Sequence, residues 1–158
     1  MTTSERSVLH ASFTIERTYP VAPRRVFAAW SDPNLKPQWF GGGDETVQKY
    51  NLDFKVGGRE HSSGVAPNNV EYTYDALYQD IVPNERIVYT YDMHIGGPRI
   101  SVSLSTVEFT PDGDGTRMLY TEQGAYLDGL DNPEQREAGT RELFDALARL
   151  FESETAKA

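Results

Sequence analysis

The sequence predicts an α+β fold in which a curved antiparallel sheet of seven strands wraps around a long C-terminal helix. Polar and apolar residues alternate near the N-terminus, residues 46–124 are almost entirely strand and turn, and the last part of the chain changes to helical spacing. An amphipathic helix must bury its apolar stripe, and the sheet is the large apolar surface that the sequence offers. We therefore expect the helix and the sheet to pack together.

Length and charge limit the function classes. The chain has 158 residues, which suits one hydrophobic core, so we expect a loosely ordered N-terminus over residues 1–11 and a single domain over residues 12–155. A formal net charge of −9 repels nucleic-acid phosphates and anionic membranes. The sequence has neither a run of about 18 apolar residues nor the apolar core of a signal peptide. We expect a cytoplasmic protein that neither binds nucleic acid nor inserts into a membrane.

The segment before the sheet predicts one strand and two short helices. Residues 13–19 alternate with the period of a strand. Pro23 stands where a helix can begin, and the apolar side chains after it share one face at helical spacing: Val26, Phe27 and Trp30. Asp32 as N-cap and Pro33 at the first helical position predict a second helix, which the glycines at 41–43 end.

The rest of the sequence, from residue 46 onward, predicts a meander of strands and a terminal helix. Glycine, proline and asparagine clusters divide residues 46–124 into six strands, and such short connections join antiparallel neighbours. Asn132 as N-cap, Pro133 at the first helical position and Gln135 three residues after the cap predict a helix of about twenty residues. Its apolar stripe contains Leu143, Phe144, Leu147, Leu150 and Phe151.

Several stretches resemble one protein family. "ERTYPVAPRRVFAAWSDPNLKPQWF", "DFKVGG", "PNERIVYTY" and "GTRMLYTEQGAYLDG" are similar to segments of the bacterial homologues of the heat-shock-protein-90 ATPase activator, within the START-like or SRPBCC superfamily. The resemblance extends from Phe13 to Phe151 and implies a helix-grip fold, with an elongated pocket between the sheet and the long helix. Relatives include lipid carriers, plant hormone binders and polyketide cyclases, so the fold does not select a reaction.

The strand at residues 116–124 places an acid among apolar side chains. Met118, Tyr120 and Glu122 share one face by strand alternation, and the resemblance puts that face inward. A carboxylate in a tyrosine-lined cleft is a candidate ligand anchor or general base. The alternative is a structural pair with Arg136 or Arg141, which would fix how the helix meets the sheet.

Tyrosines dominate the faces of two further strands, which favours a pocket for a partly aromatic or amphipathic molecule. The alternative is that these tyrosines cover an exposed face, as in many antiparallel sheets. The candidate ligand-binding residues are Trp39, Phe40, His61, Tyr74, Tyr89, Tyr91, Met118, Tyr120, Glu122 and Leu143.

The sequence lacks the patterns that mark metal sites, phosphate-binding loops and serine triads. The three histidines have no metal-ligand spacing, no glycine-rich loop is built to hold phosphate, and no GxSxG elbow is present, so we expect no metal, no cofactor and no serine triad. Three hypotheses follow: a binding protein for an unidentified small hydrophobic or amphipathic molecule, an enzyme of the cyclase or hydratase type using the same cavity, or a module that engages a chaperone or regulator. A homodimer is compatible with the sequence.

Overall fold

A computed structural model describes residues 6–41 and 46–155. In these residues seven strands and three helices follow the order that the sequence predicts. The elements are β1 (Val8–Tyr19), α1 (Pro23–Ser31), α2 (Pro37–Phe40), β2 (Thr46–Leu52), β3 (Arg59–Val65), β4 (Glu71–Val82), β5 (Arg86–Ile95), β6 (Arg99–Asp112), β7 (Gly115–Leu127) and α3 (Pro133–Thr155). Among the described helices, none has both the length and the apolar character needed to cross a bilayer.

The strands form one antiparallel sheet in the order β1-β7-β6-β5-β4-β3-β2. Strands β2 to β7 follow one another as a meander, and β1 pairs with β7, so β1 and β2 lie at opposite edges. The pairing register shifts within β2/β3, β4/β5 and β5/β6. Such irregularities bend strands and increase their twist, which helps the sheet to curve around α3.

The first strand begins earlier than the sequence predicts. Residues 8–11, which we expected to be loosely ordered, pair with residues 124–127 of β7. Val8 and Leu9 are 56% and 53% exposed, so no buried apolar face marks this part of the strand, and backbone pairing alone extends it. Residues 1–5 of the predicted N-terminal segment lie outside the described residues.

The second helix begins later than predicted, at Pro37 instead of Pro33. The carboxylate of Asp32 accepts a hydrogen bond from the Asn34 backbone at 2.8 Å, and the next two amides both donate to the Asp32 carbonyl. Pro37 has no N–H to continue this turn as a helix, so residues 33–36 remain a turn and a new helical turn starts. Gly41 is the C-cap, whereas the predicted glycines 42 and 43 lie outside the described residues.

The terminal helix has the predicted start and packs against the inner face of the sheet. The Asn132 side chain accepts a hydrogen bond from the Gln135 backbone at 2.9 Å, as an N-cap does. Phe144 and Phe151 are buried, and their rings lie 5.2 Å from those of Tyr120 and Tyr19. Burying each such side chain contributes roughly 1.5–3 kcal/mol, so these contacts hold the C-terminal half of α3 firmly on the sheet.

Candidate functional site

A cavity of about 470 Å³ lies between the inner face of the sheet and the helices α2 and α3. This volume is within the range of small-molecule sites. Its wall is mainly aromatic and includes Trp30, Trp39, Phe40, Tyr74, Tyr89 and Tyr91. Polar side chains of the first turns of α3 and of the preceding loop complete the lining, among them Asp131, Gln135 and Arg136.

Strands β4 and β5 build the aromatic wall. Every second residue of β4 from Tyr72 to Tyr78 is buried, as are Tyr89 and Tyr91 in β5. The Tyr74 ring lies 5.0 Å from Tyr91 on the neighbouring strand and 5.0 Å from Phe40 of α2. Since these contacts are tilted or edge-to-face, they hold the rings in defined orientations around the cavity.

Glu122 is completely buried on the inner face of β7. Its Oε1 accepts hydrogen bonds from the hydroxyls of Tyr91 at 2.8 Å and Tyr120 at 2.6 Å. Its Oε2 accepts one from Ser103 at 3.0 Å and faces Arg136 Nη1 at 3.4 Å. Burial and the nearby Glu122 charge raise the pKa of Tyr91, so this hydroxyl remains a proton donor.

Arg136 connects this carboxylate to α3. Its Nη1 also donates to the Tyr91 hydroxyl at 2.8 Å, and its Nη2 donates to Ser101 at 2.7 Å and to Asp131 at 2.6 Å. The guanidinium therefore joins β5, β6 and β7 to the start of the helix. Of the two roles that the sequence left open for Glu122, this geometry matches the pair with Arg136 that fixes helix against sheet.

A second buried ion pair lies behind the opposite side of the wall. Lys36 Nζ is 2.8 Å from Glu60 Oε1, and both side chains are 0% exposed. The hydroxyls of Tyr78 and Tyr50 donate to Glu60 at 2.8 and 2.7 Å. Burial lowers the pKa of Lys36, because desolvation disfavours its charge, while Glu60 opposes that shift.

Aromatic rings enclose the Lys36 ammonium. Its Nζ lies 4.3 Å from the centroid of Phe40 and 5.2 Å from that of Trp30, both of which line the cavity. Cation–π contacts of this kind stabilise a desolvated ammonium. Neither residue of this pair was among the predicted site residues. No sequence pattern indicated it, because β3 has no apolar side chain before its last residue to mark the inward face on which Glu60 lies.

The structure brings together most of the residues that the sequence predicts for the site. Seven line the cavity: Trp39, Phe40, Tyr74, Tyr89, Tyr91, Tyr120 and Leu143. Glu122 lies one layer behind the wall, in contact with lining residues. Met118 is on the predicted face but is 0% exposed in the solid core.

His61 is not where the sequence analysis placed it. Its ring lies on the outer face of the sheet, with Nδ1 2.6 Å from Asp75 Oδ1. In β3 the inward residues are Glu60, Ser62 and Gly64, so the parity of the strand turns His61 away from the cavity. Conversely, Trp30 and Arg136 line the cavity and were not among the predicted site residues.

Comparison with known proteins places these features in a family context. A family model described as "Activator of Hsp90 ATPase homolog 1-like protein" matches residues 20–152. A solved structure of an uncharacterised protein from Rhizobium leguminosarum is 43% identical over 94% of this chain and 99% of that chain, with a TM-score of 0.90.

Two further structures extend this comparison. A protein from Rhizobium loti is 51% identical over 90% of this chain and 98% of that chain, with a TM-score of 0.84. The AHSA1 protein from Silicibacter pomeroyi is 24% identical and shares the fold, with a TM-score of 0.75 over 91% of this chain and 99% of that chain. No curated protein matches the chain.

Proposed function

The chain belongs to the activator of Hsp90 ATPase homolog 1-like family, and from this premise we propose that it binds a small, partly aromatic, amphipathic molecule between the sheet and the C-terminal helix. The observation that carries the proposal is the cavity of about 470 Å³ with its aromatic wall. A core that served stability alone would be filled to the density of a solid. Here the rings surround a space of ligand size.

The composition of α3 supports a cavity at one end of the helix. Its C-terminal half fills the space below it with Leu147 and Phe151, both 0% exposed. Its N-terminal half instead presents Gly139 and Thr140 to the cavity. A Cβ built at Gly139 would meet no atom within 4 Å. The helix therefore closes the core at one end and leaves room at the other.

Binding can be tested with the neutral fluorescent probe N-phenyl-1-naphthylamine, whose emission rises in an apolar site. We expect the wild-type protein to bind it, and Gly139→Leu to weaken binding at least about tenfold by placing a side chain at the cavity. Ala138→Leu is the matched control, because Ala138 is exposed on the same helix, as Gly139 is, but does not line the cavity. Both leucines have good helix propensity, so neither should lower the melting temperature.

Each possible result of the probe experiment either supports or contradicts binding in the cavity. Loss of the probe signal in Gly139→Leu alone supports the proposal. Absence of any signal in the wild type, or equal affinity in all three proteins, contradicts it. Native mass spectrometry of protein purified from its own host should in addition reveal a bound small molecule.

The catalytic alternative receives less support from the geometry. Glu122 would have to exchange protons with a substrate in the cavity, but it lies behind the wall. Hydroxyls of Tyr91, Tyr120 and Ser103 and the Arg136 guanidinium surround its two oxygens. A carboxylate held by these donors suits a positioning role better than general acid–base catalysis.

A further inference from the structure

We propose, resting on the binding function above, that the cavity selects an uncharged or cationic aromatic molecule carrying a hydrogen-bond acceptor, and that it discriminates against carboxylates. Two independent features point to this ligand class. One is the arrangement of charges at the cavity, and the other is a pair of buried donors in its wall.

Arg136 cannot form the usual bidentate hydrogen bonds of a guanidinium with an anionic ligand. It is the one cationic side chain among the described residues that line the cavity. Its Nη1 donates to Tyr91 and Glu122, and its Nη2 donates to Ser101 and Asp131. Each Nη atom carries two hydrogens, so these four bonds use all of them. A carboxylate would have to break part of this network to gain the bidentate contact.

The charges around the cavity are predominantly negative. Asp131 and Glu142 line it and Glu122 lies directly behind it, against the single charge of Arg136. The Lys36–Glu60 pair adds no net charge. An anion entering this partly buried space meets unfavourable electrostatics, whereas a cation meets carboxylates and the faces of tyrosine and tryptophan rings.

Two donors in the wall have no acceptor among the described residues. Tyr74 and Trp30 both line the cavity and are 6% and 1% exposed. The Tyr74 hydroxyl and the Trp30 Nε1 have no hydrogen-bond partner within the part of the chain that the structure describes. The indole N–H is a donor only, and burial raises the pKa of Tyr74, so both groups need an acceptor. A ligand carbonyl or ether oxygen would supply one after a small movement of either ring, since both atoms are almost inaccessible in the free protein.

Three naphthalene derivatives of nearly equal shape test the proposal as competitors of N-phenyl-1-naphthylamine. 2-Acetylnaphthalene carries a neutral acceptor, 2-isopropenylnaphthalene replaces that oxygen with carbon, and 2-naphthoate carries a charge. We expect 2-naphthoate to bind at least about tenfold more weakly than the ketone. Asp131→Asn should reduce this gap, because it removes one negative charge beside the cavity while its amide oxygen can still accept from Arg136.

Tyr74→Phe tests the acceptor, since it removes only a hydroxyl that has no partner among the described residues. The ratio of ketone to alkene affinity should fall by about 3- to 10-fold, the value of one net hydrogen bond. Trp30→Phe provides the same test for the indole N–H. The two substitutions together should remove the preference for the ketone.

The outcomes distinguish this inference from the binding function itself. If the probe binds and Gly139→Leu blocks it, but 2-naphthoate binds as well as the ketone, the charge selection is wrong. If the ketone-to-alkene ratio stays at its wild-type value in both Tyr74→Phe and Trp30→Phe, the acceptor requirement is wrong. If the wild type does not bind the probe, the binding function fails, and the ligand class fails with it.

Discussion

Replacing Lys36 with methionine should destabilise the protein strongly. Lys36 and Glu60 are 0% exposed, with their charged atoms 2.8 Å apart. Methionine keeps the apolar stem that packs among the aromatic rings but removes the ammonium. The Glu60 carboxylate would then be buried with only the hydroxyls of Tyr50 and Tyr78 as partners.

The size of the effect follows from this geometry. Removing one partner of a buried ion pair costs about 3–5 kcal/mol. Two tyrosine donors still satisfy part of the Glu60 charge, so we expect a loss of about 3 kcal/mol in the free energy of unfolding. For a domain of this size, that corresponds to a melting temperature lower by about 6–12 °C.

Urea unfolding followed by tryptophan fluorescence measures the change, because Trp30 and Trp39 lie 5.2 and 6.0 Å from the Lys36 ammonium. The double variant Lys36→Met/Glu60→Gln should recover to within about 1 kcal/mol of the wild type, since both charges are gone and the amide still accepts a hydrogen bond. Lys55→Met, at a side chain 69% exposed, is the control and should change little. A loss below about 1 kcal/mol in the single variant, or additive losses in the double variant, would refute the reasoning.

Three further predictions concern stability. Glu122→Gln should cost about 2–4 kcal/mol in urea unfolding, because the buried Arg136 charge loses one of its two carboxylate partners; unchanged stability would argue against the positioning role. Burial raises the pKa of Tyr74, Tyr91 and Tyr120 above 10. Their contribution to the free energy of unfolding is therefore complete below pH about 10. At higher pH it falls by roughly 1.4 kcal/mol per pH unit for each tyrosine, because the tyrosines of the unfolded chain ionise first. Tyrosinate absorbance should therefore rise together with unfolding, and separate titration near pH 10 would contradict this. Arg17→Ala should cost less than about 1 kcal/mol, because its partner Asp145 is half exposed; a melting temperature lower by more than about 4 °C would contradict this.

The elements that the sequence predicted well have local determinants. The start of α3 is set by Asn132 and Pro133 within one turn, and the inward face of β7 is set by strand parity. The start of α2 depends instead on a competition between Pro33 and Pro37, which the sequence pattern does not resolve. The start of β1 has no buried side chains to mark it.

The site was predictable where apolar residues reveal which face is inward. Tyr89 and Tyr91 continue the parity of Ile87, so their inward orientation could be read from β5. Strand β3 reads "REHSSGV" and carries no apolar side chain before its last residue, so the face of His61 could not be read in the same way.

Long-range pairing limited the prediction further. Lys36 and Glu60 are 24 residues apart and meet only through the tertiary structure. Both would be expected at the surface from their side-chain type, because unpaired lysine and glutamate are rarely buried. The depth of Met118 could not be predicted either, since it depends on where α3 crosses the sheet and not on the alternation of β7.

The strand order has a consequence for synthesis. β1 is an edge strand whose single neighbour in the described sheet is β7, and Val8 pairs with Leu127, about 120 residues further along the chain. At a translation rate of roughly 5–20 residues per second, β1 leaves the ribosome about 6–24 s before the segment of β7 that pairs with it. During that interval the nascent β1 exposes its backbone edge and the apolar side chains of Phe13 and Ile15, which are buried in the folded protein.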